Sequence, residues 1–159
     1  MNLVKTKLFT AVATVGLLWL GQPVLAQSNC KEAKGILDEV FLPAVNSASG
    51  TLHNAGWLNG TTLVVFGSTP TSFPLPNIAV FTGQGTITTS QGQLKTSNVY
   101  LLDFARQQGS YLANIDPNSS TGVFAGATGT LFLNTTTANV TANPQTFQSE
   151  VHGQVCFAK

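Results

Sequence analysis

The stretch Thr146–Phe157, TFQSEVHGQVCF, decides the fold because it alternates with a period of two. Val151, Val155 and Phe157 share one side with Gly153, while Glu150, His152, Gln154 and Cys156 share the other, as successive side chains of a β-strand do. The apolar set belongs in a core, so Cys156 is expected to point outward. A strand of this length also suits the curved wall of a barrel.

Working outward from it, Thr62–Phe66, Ile78–Thr82, Thr86–Thr89, Leu94–Phe104, Ser110–Ile115, Phe124–Leu133 and Ala138–Ala142 read as further strands. Asn59-Gly60, Gln91-Gly92 and Gln107–Gly109 supply turns between them, and Gly83 with Gly85 predicts a bulge. Thr69–Asn77 carries Pro70, Pro74 and Pro76, which keep it out of the centre of a sheet. Short strands with frequent turn signals point to a sandwich or barrel. Phe66, Phe81, Phe104, Phe124, Phe132, Phe147 and Phe157 are expected to fill its core.

One segment reads differently. In residues 31–42, KEAKGILDEVFL, Ile36, Leu37, Val40 and Phe41 fall at helical spacing while Lys31, Lys34, Asp38 and Glu39 are polar. Pro43 would end such a helix, since proline disfavours the helical conformation of its predecessor. The expected organisation is a signal peptide over 1–26, a helical segment over 27–44 packed outside the sheet, and a β-barrel domain over 45–159.

The leader carries Lys5 and Lys7 before an uncharged apolar run from Leu8 to Leu20, and Val24-Leu25-Ala26 offers a cleavage site before Gln27. That run is shorter than the roughly 20 residues needed to span a bilayer. Asn29 before Cys30 does not fit a lipid-attachment site, which wants a small residue there. The expectation is export to the periplasm or outside the cell, with no membrane association after cleavage.

An exported chain meets an oxidising compartment, where the two cysteines, Cys30 and Cys156, favour a disulfide. Two cysteines with distant histidines lack the spacing of a metal site, and no cofactor is expected.

Of the 159 residues only 8% are charged, against ~25% in ordinary soluble domains, so Ser, Thr, Asn and Gln must carry solubility. Without Lys5 and Lys7 the chain has five basic and six acidic residues, and no basic patch to meet a phosphate backbone. Nucleic acid is therefore excluded as an expected partner.

The densest local pattern is Ser119–Gly129, SSTGVFAGATG. Gly122, Gly126 and Gly129 can take positive φ, and Phe124 can anchor the turn in a core. No lysine follows to make a phosphate loop, and no helix follows to make a dinucleotide site. The three glycines therefore read as a structural turn.

The segment STGVFAGATG resembles the glycine-rich signature of the allene oxide cyclase and dirigent superfamily, and more closely that of bacterial exported proteins with an allene-oxide-cyclase-like barrel. Ser120 stands where those proteins commonly have another glycine. Phe81–Leu94, FTGQGTITTSQGQL, is similar to the hairpin preceding the signature. The resemblance runs over roughly Gly50 to Phe157 and implies an all-β, single antiparallel eight-stranded barrel of calycin type. It also implies that homo-oligomers are common among such proteins.

No catalytic residue carries over, because Asp103, Asp116, Arg106, Tyr100 and Tyr111 stand in no motif of that family. Asp116-Pro117-Asn118 reads as a turn in which the aspartate caps backbone amides, and Asp103 with Arg106 as a solvated pair. His152 and Glu150 share the outward face of the final strand, and His53 stands alone. Three functional readings follow: a structural or interaction module with a filled barrel, a binder of a small apolar ligand, and a cyclase-like isomerase acting in the cavity. A cavity with convergent polar groups would favour the enzyme, a dry one the binder, and none the interaction module.

Overall fold

The computed structural model describes residues 29–67, 71–72 and 77–159; the signal peptide expected over 1–26 lies outside them. Its strands are β1 (Asn29–Leu42), β2 (Ser47–His53), β3 (Gly60–Phe66), β4 (Thr71–Ser72), β5 (Ile78–Thr89), β6 (Gly92–Asp103), β7 (Gln108–Ile115), β8 (Thr128–Asn139) and β9 (Thr146–Phe157). All pairings are antiparallel, in the order β3-β2-β1-β9-β8-β7-β6-β5, and β3 pairs again with β5. Eight strands thus close on themselves and leave no free edge, which removes the usual route to edge-to-edge association. The short β4 lies outside this ring, against Ala79 and Val80 of β5.

The helix expected over 31–42 is a strand. Residues 33, 35, 37 and 39 are buried and their neighbours 32, 34 and 38 exposed, a period of two that helical spacing of Ile36, Leu37, Val40 and Phe41 had obscured. The physical reason is tertiary. β1 sits between β2 and β9, in register from Cys30 opposite Cys156 to Val40 opposite Thr146, and gives both of its backbone edges to ladders. A helix docked outside would leave β2 and β9 each with one open edge and the wall unclosed, and a helix so short has little stability of its own. The 27–44 segment is therefore not a separate unit; its described part belongs to the barrel.

Alternation holds in β9, where Ser149, Val151 and Val155 are buried and Glu150, His152 and Gln154 exposed. Cys156 shares the outward set and is bonded to Cys30, tying β1 to β9 across a sequence separation of 126. What the bond holds is a wall strand rather than a helix.

Two of the seven core phenylalanines are misplaced by the sequence reading. Leu131 and Leu133 take the inward positions of β8, so Phe132 between them is 55% exposed, and Phe104 follows the end of β6 and is 46% exposed. Replacing Phe132 by serine should change stability by no more than about 0.5 kcal/mol in a thermal melt, as surface substitutions do. A large loss would mean that β8 is out of register. The expected bulge at Gly83 and Gly85 is also absent: β5 pairs residue for residue with β6, and the irregularity lies at Thr135/Thr137 of β8.

One end of the barrel is sealed by the glycine-rich segment. Phe124 is fully buried there and packs on Trp57 and Phe157, with ring centroids 6.3 and 6.0 Å away. Gly122, Gly126 and Gly129 have φ of +64°, +73° and +135°; a Cβ on Gly122 would lie 2.2 Å from the Gln91 carbonyl oxygen, so only glycine fits. The Asp116 carboxylate accepts from the Asn118 amide at 2.9 Å and the Ser119 hydroxyl at 2.6 Å, holding the start of this segment. Lys31 Nζ stands 5.8 Å from the Trp57 ring and 5.4 Å from that of Phe157 at the same end.

Candidate functional site

The inward row of β1 runs Leu37, Glu39, Phe41, so strand alternation puts a carboxyl group inside the barrel. Glu39 is 7% exposed, and its Oε1 has no hydrogen-bond partner among the described residues. Thr62 Oγ1 of β3 and Asn98 Oδ1 of β6 are likewise buried and unpaired. All three residues line a void of about 30 Å³. That is the space of one or two water molecules, which is how such groups are usually satisfied.

On the other side of Glu39 lies a second void of about 60 Å³, bordered by Phe66, Phe81, Tyr100, Tyr111 and Phe147. Phe81 stacks on Tyr100 with centroids 4.9 Å apart, Phe66 meets both edge-on at 5.3 and 5.4 Å, and Tyr111 lies 4.6 Å from Tyr100. Asn98 Nδ2 donates to the Tyr100 hydroxyl at 2.6 Å. The glycines of β5 make this possible. A Cβ on Gly85 would sit 2.9 Å from Asn98 Nδ2, and one on Gly83 would sit 3.2 Å from the Tyr100 ring. Their role is to leave room for the polar side chains of β6.

Beyond the second void, the end of the barrel opposite Phe124 opens into a cleft of about 220 Å³. Its lining is aromatic, with Phe41, Phe66, Phe81, Phe104 and Phe147, and Asn46 at the rim. The cleft shares Phe66, Phe81, Leu102 and Phe147 with the void next to Glu39. An apolar entrance therefore leads toward a buried acid.

Burial alone lifts the Glu39 carboxyl from 4.5 to about 7, because nothing nearby compensates its charge. Burial also raises both tyrosines, with the Glu39 charge adding to the effect, so each stays a neutral phenol. Asp38, one residue away but facing out, shows the opposite behaviour. Gln148 Nε2 and His53 Nε2 lie 2.8 Å from its oxygens and hold it below the usual carboxylate range.

The remaining residues singled out in the sequence lie elsewhere. Asp103 pairs with Arg106 at 2.7 Å and caps two backbone amides in the β6–β7 turn. His152 and Glu150 sit on the outer face, 3.7 Å apart, and His53 is not alone but paired with Asp38. Tyr100 and Tyr111 are brought together, by the pairing of β6 with β7. Glu39, read in the sequence only as a polar residue of a helix, was missed, as were Thr62 and Asn98.

Among the described residues no group of three His, Cys, Asp or Glu could hold a metal ion, and no helix is long and apolar enough to cross a membrane. In comparisons with known proteins, no family model, curated protein or solved structure matched the chain.

Proposed function

We propose that this barrel is an exported binder of small apolar ligands, which enter through the phenylalanine-lined end. The observation that carries the reading is the asymmetry of the two ends: Phe124 fills one, whereas the other keeps a 220 Å³ aromatic cleft above a second void. An interaction module with a filled barrel would have no use for the second arrangement. Export rests on the leader together with the Cys30–Cys156 bond. The eight-stranded closed wall and the place of STGVFAGATG as its end plug support the likeness to allene-oxide-cyclase-like, calycin-type barrels.

A specific observation also favours the second reading, a cyclase-like isomerase. A carboxyl group with a pKa of about 7 beside two neutral phenols is suited to accept and return a proton at neutral pH. The interior voids touching Glu39, about 30 and 60 Å³, hold no more than a few atoms, whereas the cleft is several times larger. Binding in the larger cleft is therefore the better supported role.

Titration with the neutral fluorophore N-phenyl-1-naphthylamine tests it. Saturable one-to-one binding is expected, weakened about tenfold by Phe104→Ala, since that ring lines the cleft yet is nearly half exposed, so its loss removes apolar contact without disturbing the core. Non-saturable binding, or binding indifferent to Phe104, would refute the cleft as the site.

A further inference from the structure

We propose that the ligand carries a protonated amine, and that Glu39 with the surrounding aromatic rings is its receptor. The inference rests on the binding role above and names the chemical class that the site prefers. Its starting point is that Glu39 is more than nine-tenths buried, with Oε1 unpaired and both voids against it. A carboxyl group held in this way lacks a cation.

None is supplied by the protein. The elements packed around Glu39 present only neutral side chains to it: Ala48 and Leu52 from β2, Thr62 and Val64 from β3, Phe81, Thr86 and Ile87 from β5, Asn98 and Tyr100 from β6, Tyr111 from β7, Leu133 and Thr135 from β8, and Phe147, Ser149 and Val151 from β9. Tyr100 and Tyr111 are the titratable groups among them, and both are neutral. The described basic side chains are all accounted for elsewhere: Lys31 over Trp57 at the sealed end, Arg106 on Asp103, Lys95 on the Thr86 hydroxyl, His53 on Asp38, His152 beside Glu150, and Lys34 and Lys159 exposed.

The rings supply the second half of a cation receptor. Aromatic side chains attract ammonium groups through their quadrupoles, most strongly where water is excluded, and a carboxylate adds a charge-assisted hydrogen bond. Phe66, Phe81, Tyr100 and Tyr111 border the void beside Glu39, and no cation of the protein competes for them. The fit is to a compact primary or secondary ammonium on a small apolar body: the charged head in the void of about 60 Å³ and the body in the cleft of about 220 Å³. An anionic ligand would meet an acid with no positive charge to offset it.

The test uses three probes of matched shape, 2-phenylethylamine, 2-phenylethanol and phenylacetate, titrated calorimetrically into the disulfide-bonded protein. At pH 8 the amine should bind on the order of tenfold more tightly than the alcohol, and the carboxylate most weakly. Glu39→Gln, which keeps shape and hydrogen-bonding capacity, should erase the amine's advantage over the alcohol. Near pH 7, amine binding should release a proton from Glu39, read from the dependence of the heat on the buffer's ionisation enthalpy. Equal binding of amine and alcohol, an amine preference surviving Glu39→Gln, or no proton release would each overturn the inference while leaving the cleft intact as a site. Failure of all three probes would overturn it as well, and the neutral fluorophore then decides separately whether the cleft binds anything.

Discussion

Reduction of the Cys30–Cys156 bond, or its removal as Cys30→Ser with Cys156→Ser, should cost about 4–5 kcal/mol of stability. The two cysteines lie 126 residues apart, close to the ends of the described wall, so the bond removes more chain entropy from the unfolded state than almost any other tie could. Its position adds to this. β1 is held by ladders to β2 and β9, and Cys30 is the second residue of β1, where an untied first strand would fray. In a protein of this size the loss corresponds to a fall in melting temperature on the order of 15 °C. Hydrogen exchange should rise first over residues 29–36 and 150–157. A melting temperature unchanged by reductant would show that the β1–β9 ladder closes the barrel unaided.

The architecture was legible where a strand faces core on one side and water on the other. β9 carries that pattern without interruption, and from it the outward position of Cys156 followed. β1 was not legible for the same reason inverted: its inward row contains Gly35 and Glu39, two residues that do not announce a core, while Ile36 and Val40 on the opposite row are apolar. Apolar residues on both faces blur a period of two and imitate a period of 3.6. Only the need to close the ring between β2 and β9 resolves the ambiguity, and a single strand's sequence contains no trace of that need.

The candidate site was hidden by the same error. A glutamate assigned to a helix draws no attention, and the groups that meet it come from β1, β3 and the β6–β7 pair, which the chain order does not bring together. Gly83 and Gly85 were the nearest thing to a signal. They read as a bulge because glycine weakens strands, yet a glycine in an unbroken strand can also mark where a neighbouring side chain needs the space of a Cβ. Two such glycines facing Asn98 and Tyr100 mark the polar half of the barrel interior.

Stability should fall as pH rises from about 4.5 to above 7, and Glu39→Gln should abolish that fall. The sign follows from proton counts. The Glu39 carboxyl titrates at 4.5 when exposed and at about 7 in the barrel, so between these values the folded chain binds a proton that the unfolded chain has released. Folding is therefore unpenalised below pH 4.5 and progressively penalised as the buried group must ionise. The full penalty is about 3 kcal/mol at pH 8, at 1.36 kcal/mol for each pKa unit. Asp38, Asp103 and Asp116 act in the opposite direction at lower pH, because hydrogen bonds lower all three and their contribution is lost as they protonate in acid. The two trends place the stability maximum of the ligand-free protein near pH 5. Denaturant midpoints at pH 5 and pH 8 measure the effect: the wild type should lose stability between them, and Glu39→Gln should match it at pH 5 and exceed it at pH 8. A Glu39→Gln variant with the wild-type slope would mean that the carboxyl group already has a partner. An amine ligand should restore stability at pH 8 more than at pH 5, since it binds the ionised form whose burial carries the penalty.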